Sequence, residues 1–268
     1  MISLEKILNS KRLFLIAGPC VIENENTTLE IASTIKDITN QLEIPFIFKA
    51  SYKKANRSRI DSFSGPGIED GLKTMQTIKR KLSIPITSDV HSVEEIKKAS
   101  SVLDIIQIPA FLSRQTDLLI AAGKTNKYVN VKKGPFLSGE ACQFIVDKIK
   151  STQNDKIILT ERGNSFGYEN LVVDMRNIPI LQRNNCPVVI DVTHSNQKPN
   201  QKIGVSGGTP EFIDTIACAS VASGANGIFI ETHPNPKEAL SDGSNMLKID
   251  QLKDLLTKLV AIKKALDH

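Results

Sequence analysis

Short runs dominated by Val, Ile, Leu and Phe recur along the chain, separated by longer stretches in which apolar residues return every three or four positions. The runs RLFLIAG (12–18), PFIFKAS (45–51), PITSDV (85–90), DIIQIP (104–109), YVNVKK (128–133), KIILTER (156–162), PVVIDVTH (187–194) and GIFIETH (227–233) have the length and β-branched content of buried strands. The stretches between them carry an apolar stripe at helical spacing and predict helices over 28–42, 68–82, 92–100, 114–124, 139–150, 170–184, 210–224 and 251–266. A further short helix precedes the first strand.

Each predicted strand is thus followed by one predicted helix. Strands this uniformly apolar expect cover on both faces, which is the habit of parallel sheets. The 268 residues are close to the length of about 250 that a (β/α)8 barrel takes. The pattern predicts a single α/β domain over 1–268, a closed (β/α)8 TIM barrel with a short N-terminal extension; an open doubly wound sheet is the other arrangement of the same elements. No Gly/Ser linker, low-complexity tract or internal repeat divides the chain.

Composition narrows the function classes. Hydrophobic residues at 40% and charged residues at 24% allow a sizeable core. The net charge of +5 raises the question of a nucleic-acid partner, but the lysines are dispersed and no Trp and three Tyr are available to stack bases, so that class is set aside. No apolar stretch reaches the ~18 residues of a membrane span, and the N-terminus carries charges where a signal peptide needs an apolar centre, which leaves a cytoplasmic protein as the expectation. The four cysteines show no CxxC spacing. Cys142, Cys186 and Cys218 read as small core residues, whereas Cys20 lies at a strand end.

Active sites of such barrels sit at the C-terminal ends of the strands. Those ends deliver Cys20, Lys49, Asp89, Gln107, Lys132, Arg162, His194 and Glu231 to one rim. Lys54 and Arg57, in KASYKKANRS, add to Lys49, Lys132 and Arg162, and like charges gathered in one cleft expect an anionic ligand to neutralise them. In a closed barrel the last strand pairs with the first, so Cys20, His194 and Glu231 face one another although far apart in sequence. With Asp242 from the long loop after the last strand they form a set of S, N and O donors suited to Zn²⁺, Fe²⁺ or Mn²⁺; singly, each also reads as a core residue, a hydrogen-bonding side chain or a turn former.

The segments LIAGPCVIE, FKASYKKANRS, SGPG, TSDVH, IQIPAFLSRQTDLL, VNVKKGPF, LTERGNSFGYENLVVDMR, DVTHSNQKPN and ETHPNPKEALSDG, in this order and over essentially the whole chain, resemble the 3-deoxy-D-manno-octulosonate 8-phosphate synthases. The resemblance implies a (β/α)8 barrel, a homotetramer, and condensation of phosphoenolpyruvate with D-arabinose 5-phosphate in lipopolysaccharide (Kdo) biosynthesis. It implies phosphoenolpyruvate binding by Lys49, Lys54, Gln107, Lys132 and Arg162, with Ala110 lining that pocket. Asn56, Arg57 and Ser58 would hold the sugar phosphate, Arg114 would come from a neighbouring subunit, and Asp89 would sit near the sugar hydroxyls.

That family has metal-dependent members with Cys in the first loop and metal-independent members with Asn. Cys20, His194, Glu231 and Asp242 match the ligands of the metal-dependent class, while ALSDGSN looks intermediate between the classes in its Gly-Ser. The related 3-deoxy-D-arabino-heptulosonate 7-phosphate synthases use erythrose 4-phosphate and typically carry KPRTS where this chain has KANRS. A non-catalytic phosphosugar sensor on the same barrel would be expected to have lost metal or phosphoenolpyruvate ligands, and none is missing here.

Overall fold

A computed structural model describes residues 3–168, 170–199 and 207–266. Glu169, inside one of the motif segments above, and Asn200, at the end of another, lie outside the described residues. Eight parallel strands, β1 (Phe14–Gly18), β2 (Phe46–Lys49), β3 (Ile86–Asp89), β4 (Ile105–Ile108), β5 (Tyr128–Lys132), β6 (Ile157–Glu161), β7 (Val188–Asp191) and β8 (Gly227–His233), pair in chain order. β8 then pairs with β1, Phe14 opposite Gly227 through to Gly18 opposite Glu231. That last pairing excludes the open sheet: the fold is a closed (β/α)8 TIM barrel.

The helices lie outside: α2 (Glu25–Gln41), α3 (Ile68–Leu82), α4 (Val93–Ala99), α5 (Thr116–Lys124), α6 (Cys142–Lys150), α7 (Asn177–Gln182), α8 (Ile213–Ala222) and α9 (Leu252–Leu266). Local chemistry marks their starts. The side chain of Asn24 accepts the N–H of Thr27 at 2.9 Å, and that of Ser92 accepts the N–H of Glu95 at 3.2 Å. In α3, Glu69 and Asp70 stand in the first turn and Lys79, Arg80 and Lys81 in the last, the arrangement the helix dipole favours. No helix among the described residues is long and apolar enough to cross a membrane.

Two apolar layers hold the barrel. The larger lies between strands and helices; the smaller fills the interior with Phe14, Ile16, Ile47, Ile105, Ile158, Val189 and Phe229. Ile7 and Leu8 of the N-terminal helix α1 (Leu4–Leu8) join the inner cluster and plug the end opposite the site. Above this layer the interior turns polar: Asn130 donates to Gln107 Oε1 at 3.3 Å and accepts from the Thr160 hydroxyl at 2.7 Å. The sequence therefore grades the barrel from an apolar base to a polar mouth.

Two predicted elements differ from those observed. The helix expected over 170–184 begins at Asn177, and residues 170–172 instead form a hairpin strand with 164–166. Pro179 explains the late start, because proline has no N–H to donate and is tolerated only in the first helical turn. The strand expected to run to His194 stops at Asp191, whose carboxylate takes the N–H groups of Thr193 and His194 at 3.1 and 2.8 Å and curls the chain into a 3₁₀ turn.

Gly18 marks where the wall is tightest, since a Cβ there would lie 1.9 Å from the Lys49 carbonyl oxygen. Gly18→Ala is expected to destabilise the protein by about 1–3 kcal/mol, as overpacking of a closed core does. For a chain of this size that lowers Tm by roughly 2–4 °C per kcal/mol. An unchanged melting curve would show that β2 yields freely at this point.

Candidate active site

The strand ends bring Lys49, Asp89, Gln107, Lys132, Arg162 and Glu231 to one buried mouth, each less than 8% exposed. Charges this deep need an opposite charge or hydrogen-bond partners. Lys49 donates to Glu231 Oε1 at 3.0 Å and to Ser51 Oγ at 3.0 Å, and lies 3.9 Å from Asp89. Lys132 donates to Asp191 Oδ2 at 2.6 Å, with its ammonium 3.0 Å from the centre of the Phe229 ring. The expected cluster of unneutralised cations is thus partly answered by the protein's own carboxylates. Lys54 and Arg162 have no carboxylate at ion-pair distance among the described residues; Arg162 donates to the His194 carbonyl and to Gln197 Oε1 at 3.3 and 3.0 Å.

Burial and pairing set the charge states. Burial alone would raise Glu231, but Lys49, His194 and Lys54 bring its pKa down to about 2. Burial opposes the charge of Asp89 as well, and Lys49 and His91 hold it well below the usual carboxylate range. Lys132 falls to about 8 because burial outweighs the opposing pull of Asp191. Lys54 moves the other way: burial would lower it, yet the combined pull of Cys20, Glu231, Asp89 and Asp242 raises it.

Beside Lys49 lie the four candidate metal ligands. One ligand atom from each of Cys20, Glu231 and Asp242 falls within 4.8 Å of the others. His194 Nε2 is 3.7 Å from Glu231 Oε2 and 3.8 Å from Asp242 Oδ2. A divalent cation fits this set for three reasons. The second Glu231 oxygen is buried without a hydrogen-bond partner, the imidazole is turned toward it, and the thiol, imidazole and carboxylates are ligands of borderline softness. Cys20 donates its thiol proton to Asp242 Oδ2 at 3.2 Å, and burial, then Asp242 and Glu231, push its pKa well above the ordinary thiol value. Metal binding there must release that proton.

Several residues that complete the site were not singled out from the sequence. Asp191 holds His194 Nδ1 at 2.8 Å while also holding Lys132, so one carboxylate orients a candidate ligand and a candidate phosphoenolpyruvate lysine together. The spacing Asp-x-x-His in IDVTH was the available signal. His91 is held between Asp89 and Glu95, with Nε2 at 3.2 Å from one and Nδ1 at 2.9 Å from the other. Ser51 donates to Asp89, and Ser241 contacts both Cys20 and Arg57.

The remaining predicted residues lie farther out. Arg57 is 3.6 Å from Asp242 and donates to Ser241, so its guanidinium points to the metal-ligand loop, while Asn56 and Ser58 are exposed on either side of it. Ala110 opens the 3₁₀ turn after β4, half-buried. Arg114 is exposed beyond that turn, where its carbonyl accepts from Lys148 Nζ at 3.1 Å. No contact among the described residues draws Arg114 to the mouth.

The model of the DAHP synthetase I family matches residues 3–268. Relatives named 2-dehydro-3-deoxyphosphooctonate aldolase include one from Geobacter sulfurreducens, 53% identical over 96% of this chain and 94% of its own length. Another, from Syntrophobacter fumaroxidans, is 49% identical over 97% and 90%, and a third, from Desulfatibacillum aliphaticivorans, is 52% identical over 94% and 93%.

Because Glu231, Asp89 and Asp191 all titrate low in the folded state, they contribute stability that is complete above the ordinary carboxylate pKa near ~4 and lost as pH falls below it. Glu231→Gln in the metal-free protein is expected to flatten the fall of unfolding free energy between about pH 4 and pH 2. Urea titrations across that range measure it. An identical slope in both proteins would mean that Glu231 does not titrate with unfolding.

Proposed function

The chain belongs to the DAHP synthetase I family, and we propose that it condenses phosphoenolpyruvate with D-arabinose 5-phosphate and water to give 3-deoxy-D-manno-octulosonate 8-phosphate and inorganic phosphate. It is an enzyme of the transferase class, forming a C–C bond on the way to the Kdo sugar of lipopolysaccharide. The use of erythrose 4-phosphate is not favoured, given the names of the relatives above and the KANRS segment. The observation that carries the reading is the contact between Lys49 and Glu231 at 3.0 Å, which sets the cation-lined pocket directly against the candidate metal ligands.

In this reading Lys49, Lys54, Gln107, Lys132 and Arg162 bind phosphoenolpyruvate, with Ala110 lining the pocket. Asn56, Arg57 and Ser58 bind the phosphoryl end of the sugar, and Asp89 faces its hydroxyls. Arg114, exposed in one chain, completes the sugar-phosphate site of a neighbouring subunit in a cytoplasmic homotetramer. The whole of 1–268 is then one catalytic domain.

Holding two phosphorylated substrates in one mouth lowers the entropic cost of aligning C3 of phosphoenolpyruvate with the sugar aldehyde. Water then adds at C2, and C–O cleavage releases phosphate whose developing charge faces Lys and Arg groups already in place. Lys132, with its pKa brought to about 8, is both a cation for binding and a group able to pass a proton near neutral pH. His194, oriented by Asp191, faces the same space. A divalent ion, Zn²⁺, Fe²⁺ or Mn²⁺, held by Cys20, His194, Glu231 and Asp242 would supply Lewis acidity to an aldehyde oxygen or a water.

Phosphate release from phosphoenolpyruvate with each sugar, before and after chelation, tests the reading. A higher kcat/KM is expected with arabinose 5-phosphate, with turnover lost to the chelator and restored to different extents by the three metals. A preference for erythrose 4-phosphate would sink the substrate assignment, and full turnover in a protein shown metal-free by elemental analysis would remove the metal.

Arg57→Ala is expected to weaken use of the sugar by roughly 10- to 100-fold, the worth of one charge-assisted contact to phosphate. Steady-state kinetics at saturating phosphoenolpyruvate read this out. An unchanged sugar KM and kcat would place the phosphate elsewhere.

A further inference from the structure

Asp242 reaches the candidate metal ligands on a loop whose side chains meet Cys20, Arg57 and His194 but whose backbone makes few hydrogen bonds to other elements among the described residues. After β8 the chain runs through two single 3₁₀ turns, Pro236–Glu238 and Gly243–Asn245, and Asp242 between them adopts a left-handed φ of +50°. The backbone bonds of this loop close on itself: Glu238 to Asn235, Ala239 to Pro236 and Asn245 to Asp242. Leu240, next to the Ser-Asp pair, is 51% exposed, so apolar burial does not fix the position.

Among the described residues, one side chain from another element holds this stretch by its backbone. Glu23 Oε1 accepts the N–H of Leu240 at 2.9 Å. Its other oxygen lies 3.8 Å from Nε2 of His233, the last residue of β8, and that nitrogen is buried without a hydrogen-bond partner. The Glu23 carboxylate therefore touches the loop at its root and at its middle. Glu23 itself stands three residues beyond Cys20, on the segment joining β1 to α2. The clamp thus joins the two segments that supply Cys20 and Asp242, outside the ligand set.

We propose that Glu23 is a positioning residue of the metal centre, clamping the β8 loop by the Leu240 N–H so that Asp242 is delivered to Cys20. The proposal rests on reading Cys20, His194, Glu231 and Asp242 as metal ligands. Glu23 touches neither substrate nor metal in this account, and it acts through the backbone two residues before Asp242.

Zn²⁺ affinity measured by competition with a chromogenic chelator tests it on the full chain. Glu23→Ala is expected to weaken Zn²⁺ binding by about 10-fold or more, within the range for groups that orient ligands from outside the coordination shell. Glu23→Gln keeps an acceptor for Leu240 and is expected to bind Zn²⁺ as the wild type does. In an Asp242→Ala background, Glu23→Ala should add little, because the loop then has no ligand to deliver. Wild-type affinity in Glu23→Ala overturns the clamp, and so does a full penalty that persists without Asp242. Failure of the wild type to take up Zn²⁺ overturns the metal reading and the clamp with it, whereas wild-type uptake with an indifferent Glu23→Ala overturns the clamp alone.

Discussion

The parallel pairing of the first and last barrel strands is the constraint on which the mouth depends. Its register sets Gly18 opposite Glu231, so Cys20, two residues further on, faces a carboxylate more than two hundred residues away in sequence. β7 enters the same corner, because the Thr193 hydroxyl accepts the N–H of Glu231 at 2.8 Å. A shift of one residue in this pairing would turn Glu231 out of the barrel and Ile230 into it. The chemistry of the corner is therefore a property of barrel closure and cannot be assembled from any local segment.

Closure also creates an electrostatic problem that the sequence solves with alternating charge. Lys49 stands among Glu231, Asp89 and Ser51, and Lys132 stands on Asp191. Removing one member of such a pair leaves its partner as a buried ion without compensation, which costs far more than a surface ion pair contributes. The network is accordingly stiff, and stiffness suits a site that must hold two anionic substrates without reorganising. The same logic separates the rim into layers. Deep lysines are paired within the protein, while Lys54 and Arg162 have no carboxylate at ion-pair distance among the described residues and Arg57 rests on the loop that bears Asp242.

Most of the fold was legible because its signal is local. Apolar runs marked all eight strands, and the predicted helix over 68–82 coincides with Ile68–Leu82. The pairing of 164–166 with 170–172 was missed because 170–172 open a stretch whose apolar spacing also suits a helix, and Pro179 settles the start of α7 only once its place in the first turn is considered. At the site, polar residues at strand ends were legible because a barrel sends them to one face. Asp191, Ser241 and Glu23 were not, since each matters through a partner whose distance depends on closure: Lys132, Cys20 and Leu240. The carboxylates that neutralise the lysines were visible as residues and invisible as counter-charges for the same reason.

The proton on Cys20 connects these layers. Burial among Glu231 and Asp242 makes the thiolate unfavourable, so without metal the thiol caps the Asp242 carboxylate and Arg57 rests against the same group. A divalent cation entering the cluster would compensate the negative charge that now keeps the proton in place, and the thiol would give up that proton to bind it. A divalent cation and that proton would in this way be alternative occupants of one carboxylate-rich corner. Hydrogen bonds from Cys20 to Ser241 and Asp242 already bring the β8 loop into this corner, so folding itself gathers the donors.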